Sequence, residues 1–572
     1  MDDFKLHIIE KIVDEIGSEG IDESIIEVPP DPLLGDYAFP CFVLSKRLKK
    51  APAQIAEYLT GKIKPDEMIA EVKSFGPYLN FFVNKALMAG NVLEEIKKAG
   101  NKYGHSGKGD GKTIVIEYPG PNTNKPLHLG HMRNMALGLS MSNILKSQGY
   151  EVKIVNINND RGIHICKSML AYKKWGMGKT PESEERKSDH FVGDYYVMFS
   201  KKADEALEQE SKEMLLKWEK GDKEIRELWQ KMNTWAFSGF KQTYKRFGLS
   251  EFDKEYYESE TYEGGKKMVM GGLKKGLFKK NDDGAVIVDL EKEGLGEKVL
   301  LRSDGTSVYV TQDLYTAQLR HEEFNFDKMI YVVATEQNYH FKVLFTILEK
   351  LGHRWSEGCH HFAYGMVHLP EGRMKSREGT VVDADDLIEE LENLAAEEIK
   401  KRHITLSEEE TANRKRMISL GAIKFFLLKG DAIKDMTFNP EESISFEGDT
   451  GPYVQYTHAR ACSILRKAEQ EIDVHFDADA SSLKKKSETA LIHELSLLPT
   501  KTADACEMYR PHIIAQSLLS ISRSFNEFYH ACPCIQEKDE KLRNARLLLI
   551  DCTRQALANG LAMLGIDALE KM

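Results

Sequence analysis

The chain has 572 residues, 41% of them hydrophobic and 30% charged, with a formal net charge of −11. That length implies three or four domains of ordinary globular composition, and the acidity disfavours loose, nonspecific binding to nucleic acid while leaving room for a shaped basic patch. Eight cysteines without a Cys-x-x-Cys pair argue against a disulfide framework and a ribbon-type zinc site, and Cys532-Pro533-Cys534 is an incidental close pair. An acidic amphipathic N-terminus and the lack of any apolar run of about 18 residues predict a cytoplasmic protein with no membrane span.

In chain order, residues 3–16 have apolar positions at helical spacing. Gly35-Asp36-Tyr37-Ala38 leads through residues 39–44 into a basic segment, 45–64, predicted as one helix, whose cluster Lys46-Arg47-Leu48-Lys49-Lys50 reads by itself as a solvated face. Strand-like segments follow, including Gly76-Pro77-Tyr78-Leu79-Asn80-Phe81, and then four glycines between Gly104 and Gly111 predict a linker.

Residues 112–134 read KTIVIEYPGPNTNKPLHLGHMRN. A β-branched run from Thr113 ends in Glu117, a loop of Pro, Gly and Asn follows, and His128-Leu129-Gly130-His131 opens a helix predicted over 129–148. With a strand predicted at 151–157 this is a βαβ unit, which places ligands at the carboxyl ends of a parallel sheet. Unpaired N–H groups at the helix start favour a phosphate. His128 and His131 can add donors, and Gly130 lets a flat purine approach the backbone. No GxGxxG or Walker sequence occurs, which argues against a dinucleotide enzyme or a P-loop ATPase.

The order of PGPN and HLGH resembles the signature of class I aminoacyl-tRNA synthetases. Glu117-x-x-x-Pro121-Asn122 followed by Lys125-Pro126 resembles the arginyl-tRNA synthetase family in particular. The Gly-Asp-Tyr-Ala and Gly-Pro-Tyr-Leu-Asn-Phe elements resemble that family's appended N-terminal domain, which implies contact with the elbow of tRNA near Tyr37.

Asn158-Asn159-Asp160-Arg161-Gly162 is a turn at a strand's carboxyl end that, by the resemblance, borders the amino acid and the tRNA terminus. Residues 167–297 read as a charged, largely helical insertion, with Trp218, Trp229 and Trp235 as core anchors and a hairpin-like piece at 285–290. The sheet is expected to resume with strands at 300–302 and 307–311, a helix opening at Gln312-Asp313-Leu314, and strands at 327–334 and 361–367. Gly372-Arg373-Met374-Lys375-Ser376-Arg377-Glu378-Gly379-Thr380 resembles the second class I signature, a basic loop for the ATP triphosphate, with Ser376 where the family has its second lysine. Lys125, Lys375 and Arg377 are the cations available to the phosphates, and the sequence leaves the choice among them open. From about 383 the pattern is helical, with helices expected at 451–471, 487–509, 511–530 and 538–564. Gly451 to Arg460 (GPYVQYTHAR) and the C-terminal end resemble the family's helical anticodon-binding domain.

The expected fold is therefore multidomain α/β plus α: an N-terminal α+β domain (1–107), a doubly wound, Rossmann-like catalytic domain (108–385), a helical connection (386–450) and a C-terminal helical bundle (451–572). The resemblance implies ATP-dependent attachment of L-arginine to its cognate tRNA through an arginyl-adenylate, with arginine activation that waits for tRNA. It carries over His128, His131, Lys125, Lys375 and Arg377 as catalytic, with Gly130, Met374 and Ser376 joining His128, His131 and Lys375 around ATP. It carries over Glu117, Asn122, Glu258, Tyr309, Asp313 and Gln337 for arginine, and Tyr37, Tyr453 and Arg460 for tRNA. A guanidinium is planar with five donors, so carboxylates and neutral acceptors suit it. Magnesium should arrive with ATP, no protein-bound zinc is expected, and nothing demands more than a monomer. The competing readings are a class I synthetase for lysine or cysteine, a nucleotidyltransferase or acid:amine ligase, and a noncatalytic tRNA-binding relative. The lack of clustered Cys and His ligands weakens the cysteinyl reading, the large helical region argues against a small nucleotidyltransferase, and intact histidine and basic-loop motifs argue against a noncatalytic relative.

Overall fold

A computed structural model describes residues 3–22, 25–29, 31–249, 251–370, 382–401, 406–472 and 478–572. The chain forms two compact units.

The first comprises residues 1–100, 464–496 and 524–553. Its sheet is antiparallel, with β1 (Tyr37–Pro40), β2 (Ile69–Phe75) and β3 (Tyr78–Val83) in the order β1-β3-β2. The single helix expected at 45–64 is broken: Ser45–Leu48 ends where Lys49 turns left-handed, and Pro52 starts a new helix, Pro52–Lys62. Proline lacks the N–H an unbroken helix would need and disfavours helical backbone at the residue before it. The Gly35-Asp36-Tyr37 element lies inside the sheet. A side chain at Gly35 would meet the Phe81 carbonyl, Asp36 accepts the Val83 N–H (3.0 Å) and pairs with Lys85, and Tyr37 is 7% exposed. Tyr37, expected to touch tRNA, is thus a core residue. Helix Lys85–Ala99 packs against the Ala480–Ser482 turn, and Arg546 forms a buried ion pair with Glu488 (2.8 Å). Residues far downstream therefore complete this unit.

The second unit comprises residues 101–463, 497–523 and 554–572. Its centre is a parallel sheet of β4 (Thr113–Glu117), β5 (Glu151–Asn158), β6 (Lys254–Tyr257), β10 (Lys328–Ala334) and β11 (Cys359–Tyr364), in the order β11-β10-β4-β5-β6. Between β6 and β10 lies an antiparallel meander, β7 (Lys279–Lys280), β8 (Val286–Leu290) and β9 (Gly296–Leu301). Helices follow the parallel strands: Leu129–Ser147 after β4, Ile163–Trp175 after β5, Glu258–Lys274 after β6 and Asn338–Lys350 after β10.

Several expectations are corrected here. Residues 104–111 are not a free linker: Gly109 donates to Gln148 O (2.8 Å), Gln148 Nε2 donates to Gly104 O (3.0 Å), and a side chain at Gly109 would strike Tyr150. Leu300 and Leu301 belong to the meander, while residues 307–311 are no strand, because the helix already begins at Tyr309 (Tyr309–Phe324) with Thr311 Oγ1 accepting the Val308 N–H (3.3 Å). The inserted region also contributes a sheet strand, β6, directly before Glu258. Its helices Ser188–Lys202, Glu205–Glu219 and Lys223–Phe247 are separated by Asp204 and Asp222, each capping the next helix. They pack around buried Trp218, with Trp229 and Trp235 partly buried beside it, as expected for core anchors. The C-terminal helices run Gly451–Glu471, Lys486–Glu507, His512–Ala531 and Glu540–Met563. Among the described residues no helix is long and apolar enough to cross a membrane.

Candidate active site

After β4 the chain enters the Pro-Gly-Pro-Asn loop, which is tied to the loop after β5. Asn159 donates to Pro121 O (3.0 Å), Thr123 donates to Asn159 O (3.2 Å), and Asn156 Oδ1 accepts the Gly120 N–H (3.0 Å). The chain then delivers His128 as the N-cap of the Leu129–Ser147 helix. On its other side, Leu129 donates to Val382 O (2.9 Å) and Ala384 donates to Leu127 O (3.0 Å), so residues 382–384 brace the motif.

The two imidazoles lie 3.9 Å apart between ring centroids. His128 Nδ1 accepts the Gly130 N–H (3.1 Å), and His131 Nδ1 accepts the His128 N–H (3.1 Å). Burial, with Lys125 nearby, lowers His128 to about 4; burial, His128 and Lys125 hold His131 well below its ordinary value. Both rings are therefore neutral, and with each Nδ1 accepting, the proton resides on Nε2. The pair offers N–H donors and no cationic charge. A side chain at Gly130 would come within 3.0 Å of His128 Cε1, so the glycine also makes room for the capping ring.

These histidines line a cleft of about 990 Å³ at the carboxyl ends of the parallel strands. Glu117, Asn122, His128, Gly130, His131, Tyr309, Asp313 and Gln337 all line it, so eight of the expected residues converge there. Tyr309 and Asp313 lie one helical turn apart, and Tyr309 is 72% exposed. Asp313 Oδ2 is 2.6 Å from His340 Nε2. Glu117 is buried and paired with Arg320, whose guanidinium sits over the Tyr256 and Tyr331 rings. One Glu117 oxygen is thus already engaged.

Lys125 and Glu258 are not among the residues lining the cleft. Lys125 is half-buried beside the histidines it influences. Glu258 is buried at the end of β6; burial pushes its carboxyl up to about 7 against the pull of Arg161 and Gln312. Met374, Lys375, Ser376 and Arg377 lie outside the described residues.

Three family models divide the chain: "Arginyl tRNA synthetase N terminal domain" matches residues 5–83, "tRNA synthetases class I (R), catalytic domain" residues 92–440, and "DALR anticodon binding domain" residues 454–572. This chain belongs to the arginyl-tRNA synthetases. It is 49% identical to the arginine–tRNA ligase of Treponema denticola over 558 residues, covering 96% of this chain and 94% of the relative. It is 43% identical to that of Treponema pallidum subsp. pallidum over 581 residues, covering 99% and 98%. The Thermus thermophilus arginyl-tRNA synthetase structure superposes with a TM-score of 0.84 at 28% identity, covering 99% of this chain and 100% of that one.

Tyr453 and Arg460 are half-buried and two turns apart on the Gly451–Glu471 helix. Sequence reasoning missed Arg320 and His340. Arg320 had a visible signal in its spacing, two helical turns from Asp313 and on the stripe of buried Val310, Leu314 and Ala317. His340, three residues after Gln337 at a helix start, had a weaker one. Arg133 also went unremarked: its guanidinium donates to the carbonyls of Gly365, Met366, Ala432 and Lys434 (2.6–3.1 Å), fixing the wall of the cleft beyond β11.

Proposed function

We propose that the cleft binds ATP with its triphosphate against His128, His131 and the Leu129 helix start, and arginine with its guanidinium against Asp313. The chain joins arginine to the 3′ end of cognate tRNA in two steps. An oxygen of the arginine carboxylate attacks the α-phosphorus of ATP while the bond to the bridging oxygen breaks, releasing pyrophosphate and leaving arginyl-adenylate. The terminal ribose hydroxyl then attacks the carbonyl carbon, its proton passing to a phosphate oxygen or water, and AMP leaves. Such chemistry asks the protein for position and for donors where charge develops. Neutral Nε2–H groups supply donors at one end of the cleft, while the helix N–H groups, taken up by Val382 O and the His128 ring, hold that ring in place; Asn122, Tyr309, Gln337 and the free edge of Glu117 orient arginine. Magnesium enters with ATP, held by phosphates and water.

Lys125, and Lys375 and Arg377 of the basic loop, are proposed to neutralise the triphosphate, with Met374 and Ser376 beside the nucleotide. Glu258 is proposed to act on arginine from behind Asp313. Tyr453 and Arg460 are proposed to meet tRNA, as is the surface of residues 1–107 around the buried Tyr37. A site built within one chain supports a monomer, and tRNA charging supports a cytoplasmic setting. The observation that carries the reading is one cleft with phosphate-type donors and a guanidinium-type acceptor. Aminoacylation of total tRNA with each of the twenty amino acids tests it: arginine alone should be attached, and attachment of another amino acid, or of none, overturns it.

A further inference from the structure

Asp313, proposed to receive the guanidinium, already has a partner within the chain. His340, from the helix after β10, approaches its Oδ2 to 2.6 Å. Both side chains line the cleft, Asp313 at 33% and His340 at 26% exposure, so the contact is open to an incoming ligand. The His340 ring stands edge-on to Phe341 (5.6 Å, 87°), which lies against His361, so its position is set by packing as well as by the carboxylate.

We infer that His340 is a positioning residue that serves as the resident counter-ion of Asp313, and that arginine takes over this carboxylate by displacing the proton of His340. This rests on the proposed arginine site. When the guanidinium arrives, two cations would face one carboxylate at close range, and the weaker acid must yield. A guanidinium does not deprotonate, whereas an imidazolium does. His340 Nε2 loses its proton to water, or keeps it while Nδ1 releases the other; either way one imidazolium becomes imidazole, and one ion pair replaces another.

The groups that face His340 set the direction of the effect. Burial opposes its charged form, but Asp313 prevails and raises its pKa above the ordinary value. His361 lies on β11 and Glu336 in the turn before the His340 helix, while the buried Glu117–Arg320 pair lies on β4 and the Asp313 helix. Glu258, titrating at about 7, also acts on Asp313's surroundings, and its ionisation would favour arginine in the same direction. Free enzyme with a raised His340 holds more protons than the complex, so arginine binding strengthens as pH rises and levels off once pH exceeds the free-enzyme value.

The test is calorimetry of arginine binding to the full chain, with and without bound tRNA, from about pH 5.5 to about pH 8.5 in buffers of different ionisation heat. The dissociation constant should fall roughly tenfold per pH unit at the acid end, with up to about one proton released per arginine. Citrulline, the neutral isostere, should release none. His340→Gln keeps a donor to Asp313 and should remove most of the slope and of the proton release, and the double variant His340→Gln, Glu258→Gln should remove what is left. A pH-independent affinity in the parent chain overturns the inference, as does a slope that survives in His340→Gln and vanishes in Glu258→Gln. Saturable arginine binding without proton release sinks this inference alone; no arginine binding under either condition sinks the proposed site with it.

Discussion

The two ends of the cleft are built on opposite electrical plans. At the His128 and His131 end, backbone N–H groups occupy both Nδ1 atoms and burial strips the rings of charge, so an anion meets fixed dipoles. At the Asp313 end the residues are partly open to water and paired as a histidine and a carboxylate, a pair that arginine, as proposed, rearranges on binding. Preorganised dipoles need no reorganisation when charge develops, which suits a reacting phosphate. An exchangeable pair suits recognition, since a ligand lacking the right charge cannot take the carboxylate over.

The comparison can be broken most severely at the histidine end. His131→Ala removes a donor and leaves the His128 N–H without its acceptor; tRNA-dependent pyrophosphate exchange should fall ~10²-fold or more, with arginine affinity unchanged. Undiminished exchange would remove the motif from the chemistry. Asp313→Asn keeps the shape and deletes the charge. Because Asp313 is 33% exposed, the penalty for a fully buried pair does not apply. Hydrogen bonds to charged groups, worth roughly 1.5–3 kcal/mol, predict a loss of roughly one to two decades in kcat/KM for arginine. The preference over citrulline should shrink and the KM for ATP should hold; an intact preference would transfer recognition to Glu258.

Gly130→Ala probes the histidine end more gently. The added methyl would press on the His128 ring at 3.0 Å, and displacing that ring by a few tenths of an ångström should cost about 1 kcal/mol, seen as a roughly fivefold rise in the KM for ATP. The smallest expected effect is a null that separates the two ends. The neutral donor state of His128 is present above its lowered value of about 4 and lost only as pH falls through it. The KM for ATP should therefore change less than about twofold from about pH 6 to about pH 8, while arginine affinity rises. A matching slope in both would mean that the histidine end also carries charge.

What was legible in the sequence follows the range of the interactions. β4, the Leu129–Ser147 helix and β10 could be placed because each is a contiguous periodic run with its own start or stop signal. Residues 307–311 misled because Val308, Tyr309 and Val310 alternate like a strand, while the bond that starts the helix there, Thr311 to the Val308 N–H, leaves no periodic trace. The four residues of β6, Lys-Glu-Tyr-Tyr, are too short and polar at a sheet edge to announce themselves. The site itself divides in the same way. His128 and His131 act on each other across three residues and were visible as a motif. Glu117 finds Arg320 203 positions away, and Asp313 finds His340 27 away, pairings that only the fold makes. Resemblance located Tyr37 correctly in its element but could not reveal that the ring points into a core.

The make-up of the first compact unit bears on how the protein is made. Its opening hundred residues share a core with 464–496 and 524–553, so on a ribosome they emerge long before the helices that cover them. At about 5–20 residues per second the delay is on the order of tens of seconds, far longer than the collapse of a chain that size. Throughout that interval the face of Lys85–Ala99 that packs on Ala480–Ser482 has no partner to cover it.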